Sequence, residues 1–305
     1  MTCIRLSVLR GVCQIPAYVA HAKNFFQQEN VDAELNVEPT AWMVPTKLIS
    51  GESQFAVIPW TRVAAAEEKD TPLTLLCGSG FEEAAIVLRK GIQISEVKTV
   101  AVPLRGGMKD LTAMGLIESL GWKKVDLIRQ PSGDGAIISF FGEGADAASM
   151  VEPYATMLEA LGVGTIIRRT GDIWPGAPGC SLATTVDMKT KAPEIVRGVV
   201  RAFIRGAGFV HDSPEESAAI AYRYIGIHPR FIHQALLRNR PIVDAIRNRE
   251  AMDSILLLMI KLGYLKRKPC DYMDLTFLDR ELAALEHDHV LGASPTASSV
   301  RLQHL

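Results

Sequence analysis

The sequence predicts an α/β protein built from two lobes. Short apolar runs at Ile4–Leu9, Val31–Val37 and Gln54–Ile58 alternate with helical patterns at Pro16–Glu29 and Trp42–Ser50. Strands that alternate with helices are typical of a parallel sheet, whose ligands gather at the carboxyl ends of the strands. At 305 residues the chain is long for one core, and two lobes of ~100–200 residues are expected.

Three loops of the first lobe are predicted to converge on one place. They are Gly11–Pro16, Pro39–Met43 and Ile58–Arg62, and each leads into the N-terminus of a helix. Unpaired backbone N–H groups and the helix dipole favour a negative charge there. The sequence therefore predicts an anion site at this edge of the first sheet.

Two segments dense in turn-forming residues, Gly78–Phe81 and Asp172–Gly179, mark crossings between the lobes. A second series of strands and helices lies between them, and the chain is helical from Asp187 onward. This pattern predicts a discontinuous first lobe formed by residues 1–82 and 182–290. The second lobe is predicted at 83–181, and a mobile tail at 291–305.

Composition excludes several classes of function. The net charge of −1 gives no reason to expect nucleic acid or an anionic membrane as a partner, and no apolar run approaches the ~18 residues of a membrane span. The five cysteines are odd in number and form no CxxC pair, so neither a zinc site, nor a disulfide framework, nor a cofactor is predicted. A strand that begins near Ile4 leaves no room for a signal peptide, so we expect a periplasmic protein if a leader has been removed and a cytoplasmic one otherwise.

Four stretches of the sequence carry a resemblance to a known family: AYVAHAKNFFQQENVDAELNVE, KLISGESQFAVIP, GEGADAASMVEPYATMLEALG and KAPEIVRGVVRAFIRGAGFVHDSPEESAAIA. Together they resemble the nitrate/sulfonate/taurine group of ABC-transporter substrate-binding proteins, within the superfamily of the thiamine-pyrimidine synthases. The match covers roughly residues 4–265. It implies the type II periplasmic-binding fold, with two crossovers, extra C-terminal helices and a cleft that closes by a hinge. A small organic anion (sulfonate, nitrate-like or pyrimidine-type) would bind in the cleft, and an ABC permease is the implied partner.

Aromatic residues of the first lobe are candidates for a wall of this cleft. Trp42 and Trp60 stand at loop–helix junctions, where an aromatic side chain serves either core packing or a small-molecule pocket. Met43 and Pro59 are predicted as their neighbours, and Gln14 is expected to face the same cleft.

The resemblance supplies the candidates of the second lobe. It implies that Arg105, Gly106, Gly107 and Met108 line the cleft, although a tight turn with a solvated arginine explains the same residues. Neither GxGxxG nor GxxxxGK[ST] fits this segment. Glu152 occupies the Glu-Pro position of the family, and either contacts the ligand or begins a helix.

Cys13 supports an alternative function as an enzyme. CQIP at residues 13–16 and WTR at residues 60–62 are similar to the aromatic sulfinate desulfinases, a resemblance that implies Cys13 as nucleophile and Arg62 as anion clamp. That family also uses a histidine shortly before the arginine, and no histidine lies between His21 and His211. The dipole of a nearby helix is worth only ~0.3–1 kcal/mol, less than one pKa unit. We therefore expect an unactivated Cys13 and a binding protein.

Overall fold

The computed structural model of the protein describes residues 1–67, 73–122, 124–130 and 135–292. These residues form two five-stranded sheets, each flanked by helices. The strands are β1 (Thr2–Val8), β2 (Val31–Val37), β3 (Phe55–Pro59), β4 (Leu73–Gly78), β5 (Ala84–Arg89), β6 (Thr99–Pro103), β7 (Asp126–Gln130), β8 (Ala147–Val151), β9 (Gly164–Arg169) and β10 (Cys180–Thr185).

Helices connect the strands and fill the C-terminal part of the described chain. They are α1 (Ile15–Ala22), α2 (Phe25–Gln28), α3 (Val44–Ile49), α4 (Trp60–Glu67), α5 (Met108–Ser119), α6 (Gly135–Phe141), α7 (Tyr154–Ala160), α8 (Val186–Lys191), α9 (Pro193–Asp212), α10 (Pro214–Ile225), α11 (Pro229–Leu236), α12 (Arg249–Lys261) and α13 (Thr276–Gly292). None of these helices is long and apolar enough to cross a membrane. Of the predicted tail, residues 293–305 lie outside the described residues.

The first sheet has the order β2-β1-β3-β10-β4. Strand β1 pairs in parallel with β2 and β3, whereas β10 is antiparallel to both β3 and β4. Every residue of β3 and of β4 is buried, because helices cover both faces of these strands. At the edge, β2 alternates buried and exposed residues in its first half, which explains its period-two pattern.

The second sheet repeats this plan with the order β7-β6-β8-β5-β9. Strand β6 is parallel to β7 and β8, and β5 is antiparallel to β8 and β9. The prediction of a parallel direction is therefore right for four of the five strands of each sheet. It misses one antiparallel strand in each, β10 and β5, which enter their sheets directly from a crossing between the sheets.

The two crossings run side by side. The first connects β4 to β5 and the second connects β9 to β10. Backbone hydrogen bonds join them, from Gly80 N to Cys180 O at 2.7 Å and from Gly179 N to Gly80 O at 2.8 Å. The side chain of Asn239, which follows α11, donates to the carbonyl oxygens of Phe81 and Glu82 at 3.0 Å. The C-terminal helices thus brace the connection between the sheets.

One predicted helix is interrupted. The pattern predicted a single helix over Pro16–Glu29, but α1 ends at Ala22 and α2 begins at Phe25. Between them Asn24 adopts a left-handed conformation with φ of 59°. Asparagine tolerates this conformation better than most residues, and the turn lets the chain change direction without glycine or proline.

Candidate ligand cleft

A cleft lies between loops of the two sheets. The first sheet contributes the loops after β1, β2 and β3, and the second contributes the ends of β6 and β8 and the start of α5. Both crossings form the floor. The lining residues are Leu9, Arg10, Cys13, Glu38, Pro39, Thr40, Ala41, Pro59, Arg62, Glu83, Pro103, Leu104, Gly107, Met108, Lys109, Val151 and Cys180.

Three of the lining residues are cationic: Arg10, Arg62 and Lys109. Two are acidic, and one of these, Glu38, is neutralised by Lys47 at 3.0 Å and accepts a hydrogen bond from Ser7 Oγ at 3.0 Å. The cleft therefore presents an excess of positive charge, which suits an anionic ligand.

Arg62 occupies the side wall of the cleft. Its Nη2 donates to the carbonyl oxygen of Arg105 at 3.3 Å, whereas its Nε is buried and has no hydrogen-bond partner among the described residues. Burial lowers the pKa of Arg62, but a guanidinium keeps its charge in proteins. An unsatisfied, buried, charged donor is costly, so an acceptor from a ligand would stabilise it.

The N-terminus of α5 faces Arg62 from the second sheet. Gly107 caps this 12-residue helix, and its Cα lies beside Arg62, since a Cβ there would be 3.5 Å from Nη2. Thr61 Oγ1 donates to the carbonyl oxygen of Gly106 at 3.2 Å. Two positive features, a guanidinium and a helix N-terminus, therefore meet across the cleft.

The floor of the cleft holds two thiols and a carboxylate. The sulfur atoms of Cys13 and Cys180 and a carboxylate oxygen of Glu83 all lie within 4.8 Å of one another, and all three residues are buried. The backbone N–H of Cys180 donates to Glu83 Oε1 at 3.1 Å. Gly80 and Gly179 leave room for the Glu83 carboxyl group, since a Cβ at either would lie 2.3 to 2.4 Å from one of its atoms.

The electrostatics of this floor contradict an activated nucleophile. Burial, with a smaller contribution from the charge of Glu83, raises the pKa of the Cys13 thiol. A hydrogen bond with Cys13 and burial hold the pKa of Cys180 well above its usual range, and burial also raises the pKa of Glu83. A reactive cysteine needs a lowered pKa, so the desulfinase-like alternative with Cys13 and Arg62 is not favoured.

Some predicted site residues line the cleft and others lie just outside it. Pro59, Gly107 and Met108 are among the lining residues. Trp42, Arg105 and Gly106 instead line a separate outer pocket, which shares Arg62 with the cleft, and Met43 lines neither. Trp42 is 51% exposed. Helix α3 begins at Val44, two residues later than predicted, so Trp42 lies in the loop before it.

Trp60 and Gln14 do not face the cleft, contrary to expectation. Because Pro59 turns toward the cleft, the next side chain along the chain points the other way: Trp60 is fully buried, its Nε1 donates to Pro178 O at 3.1 Å, and its ring stacks on Tyr272. The buried Gln14 accepts from the backbone N–H of Leu9 at 3.0 Å and donates to Cys13 Sγ at 3.2 Å. These two hydrogen bonds hold the loop after β1 in place.

Glu152 follows the helix-start interpretation. Its Oε2 accepts the backbone N–H of Thr156, in the first turn of α7, at 3.0 Å, and its Oε1 pairs with Arg169 at 2.6 Å. Its backbone carbonyl accepts from Val12 N at 3.0 Å, which ties the second sheet to the first loop. Every polar group of this residue that could reach a ligand is already engaged.

Sequence reasoning named only Cys13 and Arg62 among the polar lining residues, and those it missed include Arg10, Glu83, Lys109 and Cys180. Arg10 and Lys109 each adjoin a predicted loop, so extending those loops by one residue would have included them. Glu83 and Cys180 end the two crossings, whose dense glycines signalled a close backbone approach. The glycines therefore predict where the two backbones come close, but not which side chains line the floor of the cleft.

The sequence model of the family described as NMT1/THI5 like matches residues 13–217, about two thirds of the chain. The chain belongs to the NMT1/THI5-like family. The resemblance to this superfamily seen in the sequence is thereby confirmed.

Solved structures similar to this NMT1/THI5-like protein share its fold. A ligand-binding component of an ABC-type import system from Staphylococcus aureus, solved with zinc bound, is 15% identical with a TM-score of 0.79, covering 92% of this chain and 99% of that chain. The periplasmic nitrate-binding protein NrtA from Synechocystis PCC 6803 is 15% identical with a TM-score of 0.78, covering 94% and 89%. The alkanesulfonate-binding protein SsuA from Xanthomonas axonopodis pv. citri, bound to MOPS, is 12% identical with a TM-score of 0.73, covering 88% and 96%. The predicted periplasmic-binding fold is confirmed.

Proposed function

We propose that this protein captures a small oxyanion of the sulfonate or nitrate type in the cleft, as the ligand-binding component of an ABC-type import system. The observation that carries the proposal is the buried Nε of Arg62, a charged donor with no hydrogen-bond partner among the described residues. A ligand oxygen in the cleft would accept from it. The nitrate-binding and alkanesulfonate-binding proteins with the same fold support this ligand class.

The remaining lining favours an anion that carries an apolar group. Most of the walls are apolar, with Leu9, Pro59, Leu104 and Val151 on several sides. Such a surface stabilises alkyl or aryl groups by burial, while the cations fix the charged end. A neutral pyrimidine would offer no negative charge to the buried Nε of Arg62, so an organic sulfonate fits the lining best.

Capture would proceed by closure of the two sheets around the ligand. The two crossings provide the hinge, and Thr61 and Arg62 of one wall contact the loop containing Arg105 and Gly106 on the other. A ligand that contacts both walls stabilises the closed arrangement, because it binds that state more tightly than the open one. A permease that recognises the closed arrangement would then receive the ligand.

Isothermal titration calorimetry with a matched pair of variants tests the proposal. The ligands are an alkanesulfonate series, nitrate and a neutral dialkyl sulfone. Arg62→Met keeps the length of the side chain but removes the charged donors, which are worth about 1.5–3 kcal/mol in a charge-assisted hydrogen bond. We expect a loss of sulfonate affinity of about 10- to 100-fold.

Arg105→Met is the control, because this exposed arginine lies outside the lining of the cleft. This variant should bind the sulfonate like the unmodified protein. The neutral sulfone should bind neither to this variant nor to the unmodified protein. Equal sulfonate affinity in the Arg62 variant and in the control would contradict an anion site built around Arg62.

A further inference from the structure

We infer that Cys13, Cys180 and Glu83 form a binding site for a thiophilic divalent metal ion of the zinc type at the floor of the cleft. The proposal goes beyond the proposed anion binding and does not depend on it. Its basis is the juxtaposition of two thiols and one carboxylate, drawn from three separate segments of the chain, in one buried cluster.

The geometry lies close to that of a zinc site. Tetrahedral zinc with bonds of about 2.3 Å to sulfur separates its ligand atoms by roughly 3.8 Å. The three candidate ligand atoms lie within 4.8 Å of one another, so each would move by less than about 1 Å to reach that separation. Cysteine sulfur and carboxylate oxygen together are ligands that zinc accepts.

The carboxylate supplies an independent indication of a missing ligand. Glu83 is buried, its Oε1 is held by the N–H of Cys180, and apart from the two thiols beside it its Oε2 has no hydrogen-bond partner among the described residues. Buried carboxylate oxygens are almost always hydrogen-bonded or coordinate a metal. The hydrogen bond to Oε1 fixes the orientation of the carboxylate and leaves Oε2 available for a cation.

Supporting contacts resemble those that orient metal ligands. Gln14 Nε2 donates to Cys13 Sγ at 3.2 Å, and Ser79 Oγ donates to the carbonyl oxygen of Cys13 at 2.5 Å. Such contacts fix the ligand and stabilise a thiolate. Gly80 and Gly179 confine the Glu83 carboxyl group from the other side.

Binding would form two metal–sulfur bonds and one metal–oxygen bond, and the two thiol protons would leave to the solvent. Two thiolates and one carboxylate carry three negative charges against two on the cation. Three protein ligands leave a fourth tetrahedral position, which is the pattern of zinc sites that also bind water or a small ligand. All three residues also line the cleft, so that position would open toward it.

Cobalt titration of the reduced, metal-free protein tests this site. The background is a Cys3→Ser/Cys270→Ser variant, because these two exposed thiols lie beside Asp32 and Glu67 and could bind cobalt adventitiously. A non-thiol reductant keeps the remaining thiols reduced. We expect one cobalt ion per chain, with the near-ultraviolet charge-transfer band of cobalt–thiolate bonds, and displacement of cobalt by zinc.

Substitutions then assign the ligands. Cys13→Ser and Cys180→Ser should each weaken metal binding by at least about 100-fold, and Glu83→Gln by at least about tenfold with the thiolate band retained. Cys77→Ser is the matched control, because Cys77 is also buried and unpaired but lies outside the cluster, and it should bind cobalt like the background.

X-ray absorption of the zinc-loaded background protein needs no substitution in the cluster, and should show two sulfur neighbours at about 2.3 Å. Absence of a thiolate band in the reduced background protein would overturn the proposal, as would a band that survives both cysteine substitutions. Formation of a Cys13–Cys180 disulfide in air, with no cobalt bound after reduction, would do so too. None of these outcomes affects the result expected for Arg62→Met.

Discussion

Truncation of Trp60 should cost the protein a large part of its stability. The side chain is fully buried, stacks on Tyr272 at 6.2 Å between ring centroids, and donates to the buried carbonyl of Pro178. Replacing a buried tryptophan with alanine typically costs about 3–5 kcal/mol. Because domains are stable by only about 5–15 kcal/mol, Trp60→Ala should remain folded, but a loss of about 4 kcal/mol would remove about a quarter or more of its stability.

Urea unfolding at constant temperature measures this loss. With a slope near 3 kcal/mol per molar urea, a loss of about 4 kcal/mol moves the midpoint down by roughly 1.3 M. Trp60→Phe keeps most of the ring and loses the hydrogen bond to Pro178, so its loss should be smaller, about 1–3 kcal/mol. Trp42→Ala is the control, because half of that ring is exposed, and its midpoint should move little.

If Trp60→Ala and Trp42→Ala had equal midpoints, the assignment of Trp60 to the core would be wrong. Unchanged stability of Trp60→Ala combined with lost sulfonate binding would instead support the original expectation of an aromatic wall.

Two further predictions concern titrating groups. Because burial raises the pKa of Cys13, iodoacetamide near neutral pH should modify the exposed Cys3 and Cys270 first and Cys13 far more slowly, as read by peptide mass mapping; early modification of Cys13 would restore the enzyme alternative. Although burial alone would raise the pKa of Asp146, hydrogen bonds from the backbone of Lys98 and from Thr99 lower it. Its contribution to stability is therefore full above the unfolded pKa of about 3.9 and is lost as the pH falls through the folded value. Asp146→Asn should lower the unfolding free energy at pH 6 and flatten its decline below about pH 4; an unchanged pH profile would contradict this.

The strands could be predicted because their sequences leave little choice. FAVIP in β3 is apolar throughout, and LTLLC in β4 is apolar except for Thr74. Such short runs fit only a buried strand or a buried helix. Because β3 has only 5 residues and β4 only 6, a strand is the better prediction for both. The three converging loops follow from the order of the elements, since the carboxyl ends of parallel strands meet at one edge.

Side-chain direction at the ends of these strands was harder to predict. Pro59 and Trp60 are adjacent, and either could have faced the cleft. A shift of one residue exchanges the two faces of a strand, and the sequence of β3, apolar on both faces, contains no alternation that fixes the phase. The aromatic residue was assigned to the pocket for its chemistry, whereas packing against Tyr272, more than 200 residues away, places it in the core.

The floor of the cleft shows what a single sequence cannot supply. Glu83 and Cys180 are 97 positions apart, and each lies at the end of a crossing whose glycines predict only that backbones come close. Their meeting depends on how the two crossings pair, with Gly80 bonded to both Gly179 and Cys180. That pairing accompanies the antiparallel entry of β5 and β10 into their sheets, which the prediction of a parallel sheet missed. The error in sheet direction and the missed thiol–carboxylate cluster therefore have the same origin: β5 and β10 are buried on both faces like the parallel strands beside them, so their own sequences do not show their direction.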